Sequence, residues 1–193
     1  MKDKEYLDSL ILQFGAGARR IEKAIDFATK KHEGQLRDDG RPYITHPIRV
    51  AELTRMYKPS HNAEMIYIAA LLHDTLEDTY TSYKELMDNF GNEVASLVME
   101  LSTAKEVPHI IKGGKAEYLS HKMENMTTYA LFIKLCDRYD NLCDVAGTTE
   151  EKRNKMFADT RKILDYLYDH ITFTSSQKTI VNMIEKELKK HCN

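Results

Sequence analysis

Apolar residues recur along this chain at the three-to-four-residue spacing of helices, with no strand-like alternation. Ile21, Ala24, Ile25 and Ala28 stand at i, i+3, i+4 and i+7 and predict an opening amphipathic helix. Residues 34–43 hold Gly34, Gly40 and Pro42 and predict a loop. Thr45 is placed to cap a helix with His46 and Pro47 in its first turn and Val50, Ala51 and Leu53 inward, closed by Pro59. Asn62 starts the next helix, in which Ile66, Ala69, Ala70 and Leu72 bring the chain to His73-Asp74 in its last turns. Ser82 and Glu85 have capping-box spacing, Phe90-Gly91-Asn92 predicts a helix stop and a fresh cap, and residues 94–101 continue helically. Residues 107–115, with Pro108, Gly113 and Gly114, are an extended break whose glycines suit a lid over a substrate. From Thr128 a strong helix is expected through Ile133, Asp137 and Asn141 to Gly147. Thr148 and Glu151 form another capping-box pair, opening a tail without Gly or Pro whose Ile163, Leu164, Leu167 and Ile171 are expected on the core. The pattern predicts an all-α fold and a single domain over residues 1–193, with a helical C-terminal tail at 150–193.

Composition narrows the partners. A chain of 193 residues, 42% hydrophobic and 30% charged, is long enough to bury roughly 70% of its unfolded surface. The net charge of −2, with acids and bases interleaved, offers no broad basic face for nucleic acid, although a local Lys/Arg cluster would serve a polyphosphorylated nucleotide. No apolar run reaches membrane-spanning length, and Met1-Lys2-Asp3-Lys4-Glu5 is charged where a signal peptide would be apolar. Three cysteines without CxxC spacing imply neither a disulfide framework nor a zinc knuckle, and the expected compartment is the cytoplasm. No membrane, nucleic-acid or oligomeric partner is assigned.

Against that background, three short segments carry candidate chemistry: Thr45-His46-Pro47, His73-Asp74-Thr75-Leu76-Glu77-Asp78 and Lys134-Leu135-Cys136-Asp137-Arg138. His46, His73, Asp74 and Asp137 supply two imidazoles and two carboxylates, a full ligand set for a divalent ion. The set leaves room for water and suits six-coordinate Mn²⁺ better than a closed tetrahedral Zn²⁺ site. His73 and Asp74 follow the apolar run Ile68-Ala69-Ala70-Leu71-Leu72, so their charges are expected at the end of a buried helix, where a cation would compensate them. Glu77 and Asp78, one turn further on, complete what metal-assisted phosphoester hydrolysis needs. Lys134, three residues before Asp137 on one helix face, is placed either to meet a phosphate or to snorkel to solvent. His32 is either a substrate contact or a hydrogen-bonded packing residue.

The H…HD…D spacing is the signature of HD-superfamily phosphohydrolases, and the surrounding text is more specific. It includes His32-Glu33-Gly34-Gln35-Leu36-Arg37, Gly40-Arg41-Pro42-Tyr43-Ile44-Thr45-His46-Pro47, Ala69-Ala70-Leu71-Leu72-His73-Asp74-Thr75-Leu76-Glu77-Asp78-Thr79, Phe90-Gly91-Asn92-Glu93-Val94 and Ile133-Lys134-Leu135-Cys136-Asp137-Arg138 ending in Asn141-Leu142. This text, over about residues 20–145, resembles the (p)ppGpp hydrolase domain of the RelA/SpoT family. The family's synthetase domain is not represented, so the resemblance is to a standalone, Mesh1-like small alarmone hydrolase. It implies an HD-domain helical bundle and hydrolysis of the 3′-pyrophosphate of ppGpp or pppGpp to pyrophosphate and GDP or GTP. It assigns His46, His73, Asp74 and Asp137 as metal ligands and Glu77 and Asp78 as the catalytic pair. Arg37 would contact the base and Asn141 would line the substrate pocket. Two departures stand out: Asp38-Asp39 where the family tends to carry a further basic residue, and Tyr139-Asp140-Asn141 where it often reads Leu-His-Asn. The acidic pair keeps open a related phosphohydrolase acting on NADPH or an adenine alarmone, and a non-catalytic nucleotide-binding module is the alternative from another class.

Overall fold

The computed structural model describes residues 4–103 and 114–191. The expected lid falls mostly at 107–113, outside the described residues. The described chain is helical, with one isolated bridge between Leu36 and Pro42 and no strand. Its helices are α1 (Lys4–Phe14), α2 (Ala18–Lys31), α3 (Thr45–Tyr57), α4 (Ala63–Leu72), α5 (Thr75–Asp78), α6 (Tyr83–Phe90), α7 (Asn92–Leu101), α8 (Gly114–Glu124), α9 (Thr128–Cys143), α10 (Glu150–His170) and α11 (Ser175–Lys190). The all-α expectation holds, and α1 is an element the periodicity had not announced.

Helix α4 organises the core. Every residue from Ile66 to Leu72 is buried, as a helix apolar on all sides must be. Helices α2, α3, α7 and α9 pack around it, α11 covers α9, and α10 lies against α8. Ile163, Leu164 and Leu167 of α10 are buried and Ile171 packs at the core's edge, so the tail belongs to the same core.

Several boundaries differ from expectation, each for a local reason. Thr45 is the first residue of α3, not its cap, because its hydroxyl donates to the Pro42 carbonyl. Asn92 likewise starts α7 without capping it, while Gly91, at φ 89°, makes the turn between α6 and α7. Ser82 caps α6 through the Glu85 amide, but the Glu85 carboxylate pairs with Lys31 instead of closing the box. Helix α9 ends at Cys143, four residues before Gly147, where Asp144 turns its carboxylate to three arginines. The cap of α10 is Thr149, bonded to the Lys152 amide; Thr148 donates its hydroxyl to Asp38. The tail breaks between α10 and α11, where Thr174 and Gln177 form a reciprocal capping box.

Candidate metal centre

His46 lies in the first turn of α3 and Asp137 on α9, and both helices pack on α4, whose end delivers His73 and Asp74. The sequence places His73, Asp74, Glu77 and Asp78 on adjoining faces of one helix end, and the structure corrects this by dividing them between two helices. Helix α4 stops at Leu72, His73 is its C-cap, and Asp74 is the N-cap of the one-turn helix α5 that carries Glu77 and Asp78. The break removes the geometric problem of two adjacent ligands on one regular helix, whose side chains would diverge by about 100°.

One ligand atom each of His46, His73 and Asp74 lies within 4.8 Å of the others. Asp137 stands beside this triplet, with Oδ1 3.2 Å from His46 Nε2 and 3.8 Å from His73 Nε2. All four residues are buried. His73 Nδ1 donates to the Ala70 carbonyl at 2.8 Å, so its Nε2 is the nitrogen that faces the carboxylates. That Nε2 is 3.1 Å from Asp74 Oδ2, near enough for charge attraction, yet it is buried without a hydrogen-bond partner. An orphaned nitrogen between two carboxylates fits a cation, and the ligand types fit a divalent one.

Electrostatics give the same reading. Burial disfavours a charged His73, yet Asp74 and Asp137 outweigh it and raise its pKa to about 10. Burial also opposes protonation of His46, and Asp137 and Asp140 again prevail. For Asp74 burial favours the neutral acid, but His73 and His46 hold its pKa below the usual range; Lys134 and the histidines do the same for Asp137. Without an ion, a proton on His73 supplies part of the charge that a cation would bring.

Glu77 accepts the Thr103 amide through Oε2 at 3.1 Å, and the Asp78 carbonyl accepts from Gln35 Nε2 at 2.8 Å. His32 Nδ1 meets Gln35 Oε1 at 2.9 Å and its ring lies 4.8 Å from that of Tyr43, while its Nε2 is buried without a hydrogen-bond partner. Lys134 Nζ lies 2.8 Å from Asp137 Oδ2. Arg37 reaches Asn141 Oδ1 at 3.0 Å and Asp144 at 3.2 Å, and Asn141 Nδ2 reaches Asp137 Oδ1 at 2.6 Å. Arg37, Asn141 and Asp137 line a cavity of about 380 Å³ together with Lys115, Lys152 and Lys155.

Asp38, one of the departures, pairs with Lys152 and Thr148 at the edge of this cavity, and Asp39 pairs with Arg41. Two supports escaped the sequence analysis. The Tyr43 hydroxyl donates to Asp74 Oδ2 at 2.7 Å, and Asp140, with Arg49, holds His46. The sequence offered only a spacing for two of these residues, since Asp140 follows Asp137 and Arg49 follows His46 by three residues on a helix, and it offered nothing for Tyr43.

The HD domain family matches residues 24–167. A guanosine-3′,5′-bis(diphosphate) 3′-pyrophosphohydrolase of Aquifex aeolicus is 38% identical over 169 residues, covering 83% of this chain and 23% of its own length. The chain thus spans less than a quarter of the bacterial relatives it matches first. The human guanosine-3′,5′-bis(diphosphate) 3′-pyrophosphohydrolase MESH1 is 38% identical over 144 residues, covering 71% of this chain and 75% of its own. A solved structure described as a metazoan ortholog of SpoT that hydrolyzes ppGpp is similar with a TM-score of 0.74 at 26% identity, over 90% of this chain and 96% of that one.

Proposed function

From the premise that this chain belongs to the HD domain family, we propose that it is a metal-dependent 3′-pyrophosphohydrolase of guanosine tetra- and pentaphosphate. The observation that carries the reading is the orphaned His73 Nε2 among two buried carboxylates, beside a cavity lined by Arg37, Lys115, Lys152 and Lys155. The cation cage adjoins a cavity whose lysines and arginines can meet a polyphosphate, and the carboxylates Asp38 and Asp144 of the same lining are paired with Lys152 and Arg37.

His46, His73, Asp74 and Asp137 would hold the ion, for which Mn²⁺ is the proposed identity. A divalent ion supplies charge stabilisation at a phosphoryl oxygen and lowers the pKa of water. The remaining work falls to the chain. Glu77 and Asp78, on the turn after the ligands, take the proton of the attacking water and return one to the departing 3′ oxygen. The bond between phosphorus and that oxygen breaks, releasing pyrophosphate and GDP, or GTP from the pentaphosphate. Arg37 orients the nucleotide from the cavity wall by stacking or pairing, and Asn141 fixes both Arg37 and Asp137. Lys134, held against Asp137, offers its ammonium to the phosphoryl group from the ligand side. The proposed setting is the cytoplasm.

The test is pyrophosphate release from ppGpp with Mn²⁺, beside Asp74→Ala and a chelator. Release with GDP that both controls abolish supports the reading. Turnover of NADPH or ppApp in preference to ppGpp would move the substrate, and absence of bound metal would leave a nucleotide-binding module.

A further inference from the structure

We propose that Asp140, backed by Arg49, is a positioning residue that fixes the tautomer and aim of His46 and thereby sets the affinity of the centre for its ion. The inference rests on the metal reading above and adds to it two residues that the ligand signature does not contain.

Asp140 Oδ2 lies 2.6 Å from His46 Nδ1, with both side chains buried. An imidazole whose Nδ1 faced that carboxylate as a lone pair would be repelled, so Nδ1 carries the proton, and the Nε2 lone pair is left facing the side where Asp74 and Asp137 stand, free to bind an ion. Arg49 grips Asp140 with two nearly parallel bonds, Nε to Oδ1 at 2.7 Å and Nη2 to Oδ2 at 2.9 Å. This fork satisfies Asp140 by itself; the His46 contact comes in addition and is what turns the ring. The other imidazole is treated differently, since His73 Nδ1 meets a neutral carbonyl. A carboxylate thus stands behind His46 where a neutral dipole stands behind His73.

Arg49 also keeps that charge from being an isolated anion in the interior. Its Nη2 lies 2.5 Å from Asp144, which in turn takes Arg37 and Arg41. Three guanidiniums, of Arg37, Arg41 and Arg49, thus face three carboxylates, of Asp39, Asp140 and Asp144. Through it the aim of His46 is tied to Arg37 and, by way of Asn141, to Asp137. His46 and Asp137 are therefore braced from the last turn of α9 and its C-cap, residues 140–144.

The experiment measures Mn²⁺ binding by the paramagnetic resonance of free Mn²⁺, together with the nitrogen resonances of the imidazoles, in the whole chain. Wild type, Asp140→Ala, Asp140→Asn and Arg49→Met are compared. Asp140→Ala is expected to weaken Mn²⁺ roughly 10–100-fold and to abolish the Nδ1–H signature of His46. Asp140→Asn, whose amide oxygen still accepts from Nδ1, is expected to keep that signature and recover part of the affinity. Arg49→Met is expected to weaken Mn²⁺ less than Asp140→Ala does. If Asp140→Ala does not fold, Asp140→Asn and Arg49→Met carry the comparison. Wild-type binding with unchanged affinity and tautomer in the folded variants overturns the positioning role alone. Absence of Mn²⁺ binding by wild type overturns the metal reading, and this inference with it.

Discussion

At the residue scale the centre is a set of charges that need one another. His73 shows how: burial opposes its charge, two carboxylates restore it, and its Nε2 has no hydrogen bond. Without an ion, its raised pKa makes a stability contribution fully present below the unfolded value of about 6.5 and lost as pH rises through about 10. An incoming cation must displace that proton, so ion binding strengthens over the same window. The expected result is a Mn²⁺-induced rise in Tm that is small near about pH 6 and larger near about pH 8, followed by thermal unfolding. A flat profile would contradict this assignment of the proton. Tyr43→Phe removes the 2.7 Å bond to Asp74 while keeping the ring against His32 and His46. It is expected to weaken Mn²⁺ by about tenfold with little change in Tm, as titration calorimetry and melting together would register. The four candidate ligands could be named from the sequence because the H…HD…D text singles them out, and the fold brings those four side chains together. Tyr43 and Asp140 were not read as supports, because a hydroxyl or carboxylate acquires that role only from what lies opposite it.

Elements explain why those charges meet. Helix α4 ends at Leu72 and α5 begins at Thr75, and the break between them lets adjacent His73 and Asp74 point at one place. Sequence periodicity carried the helix through this point, since nothing in His-Asp-Thr-Leu is a breaker. The shift of the α10 cap from Thr148 to Thr149 has a similar origin: two threonines compete for one role, and Asp38 claims the first. Thr149→Ala and Thr174→Ala each remove a cap and are expected to cost about 1 kcal/mol in urea unfolding. Thr148→Ala, which loses only an exposed bond to Asp38, should cost clearly less. Gly147, at φ 75°, sits where a β-carbon would strike the Asp38 carbonyl, so the α9–α10 turn rests directly on the Arg37 loop. Gly147→Ala is expected to raise KM more than it lowers kcat, by moving that loop; an unchanged KM in steady-state kinetics would argue against the contact.

The whole molecule places the candidate metal centre at the meeting of α3, α4 and α9, and α10 lends Lys152 and Lys155 to the lining of the neighbouring cavity. Lys152 spans to Asp38 across that edge. The pair is exposed and worth at most about 1 kcal/mol, so Lys152→Ala is expected to leave Tm nearly unchanged while raising KM for ppGpp severalfold in a pyrophosphate-release assay. The all-helical architecture, the buried face of α4 and the four candidate ligands were determined by the sequence itself, because helical periodicity and ligand chemistry are local properties. The tertiary structure alone decided that Asp140 and Arg49 stand behind His46, that Asp144 gathers three arginines, and that Asp38 is answered from α10. Those partners lie about ninety residues or more apart along the chain. No local pattern encodes which of many charged side chains will be brought face to face, since that follows from how the helices pack around α4.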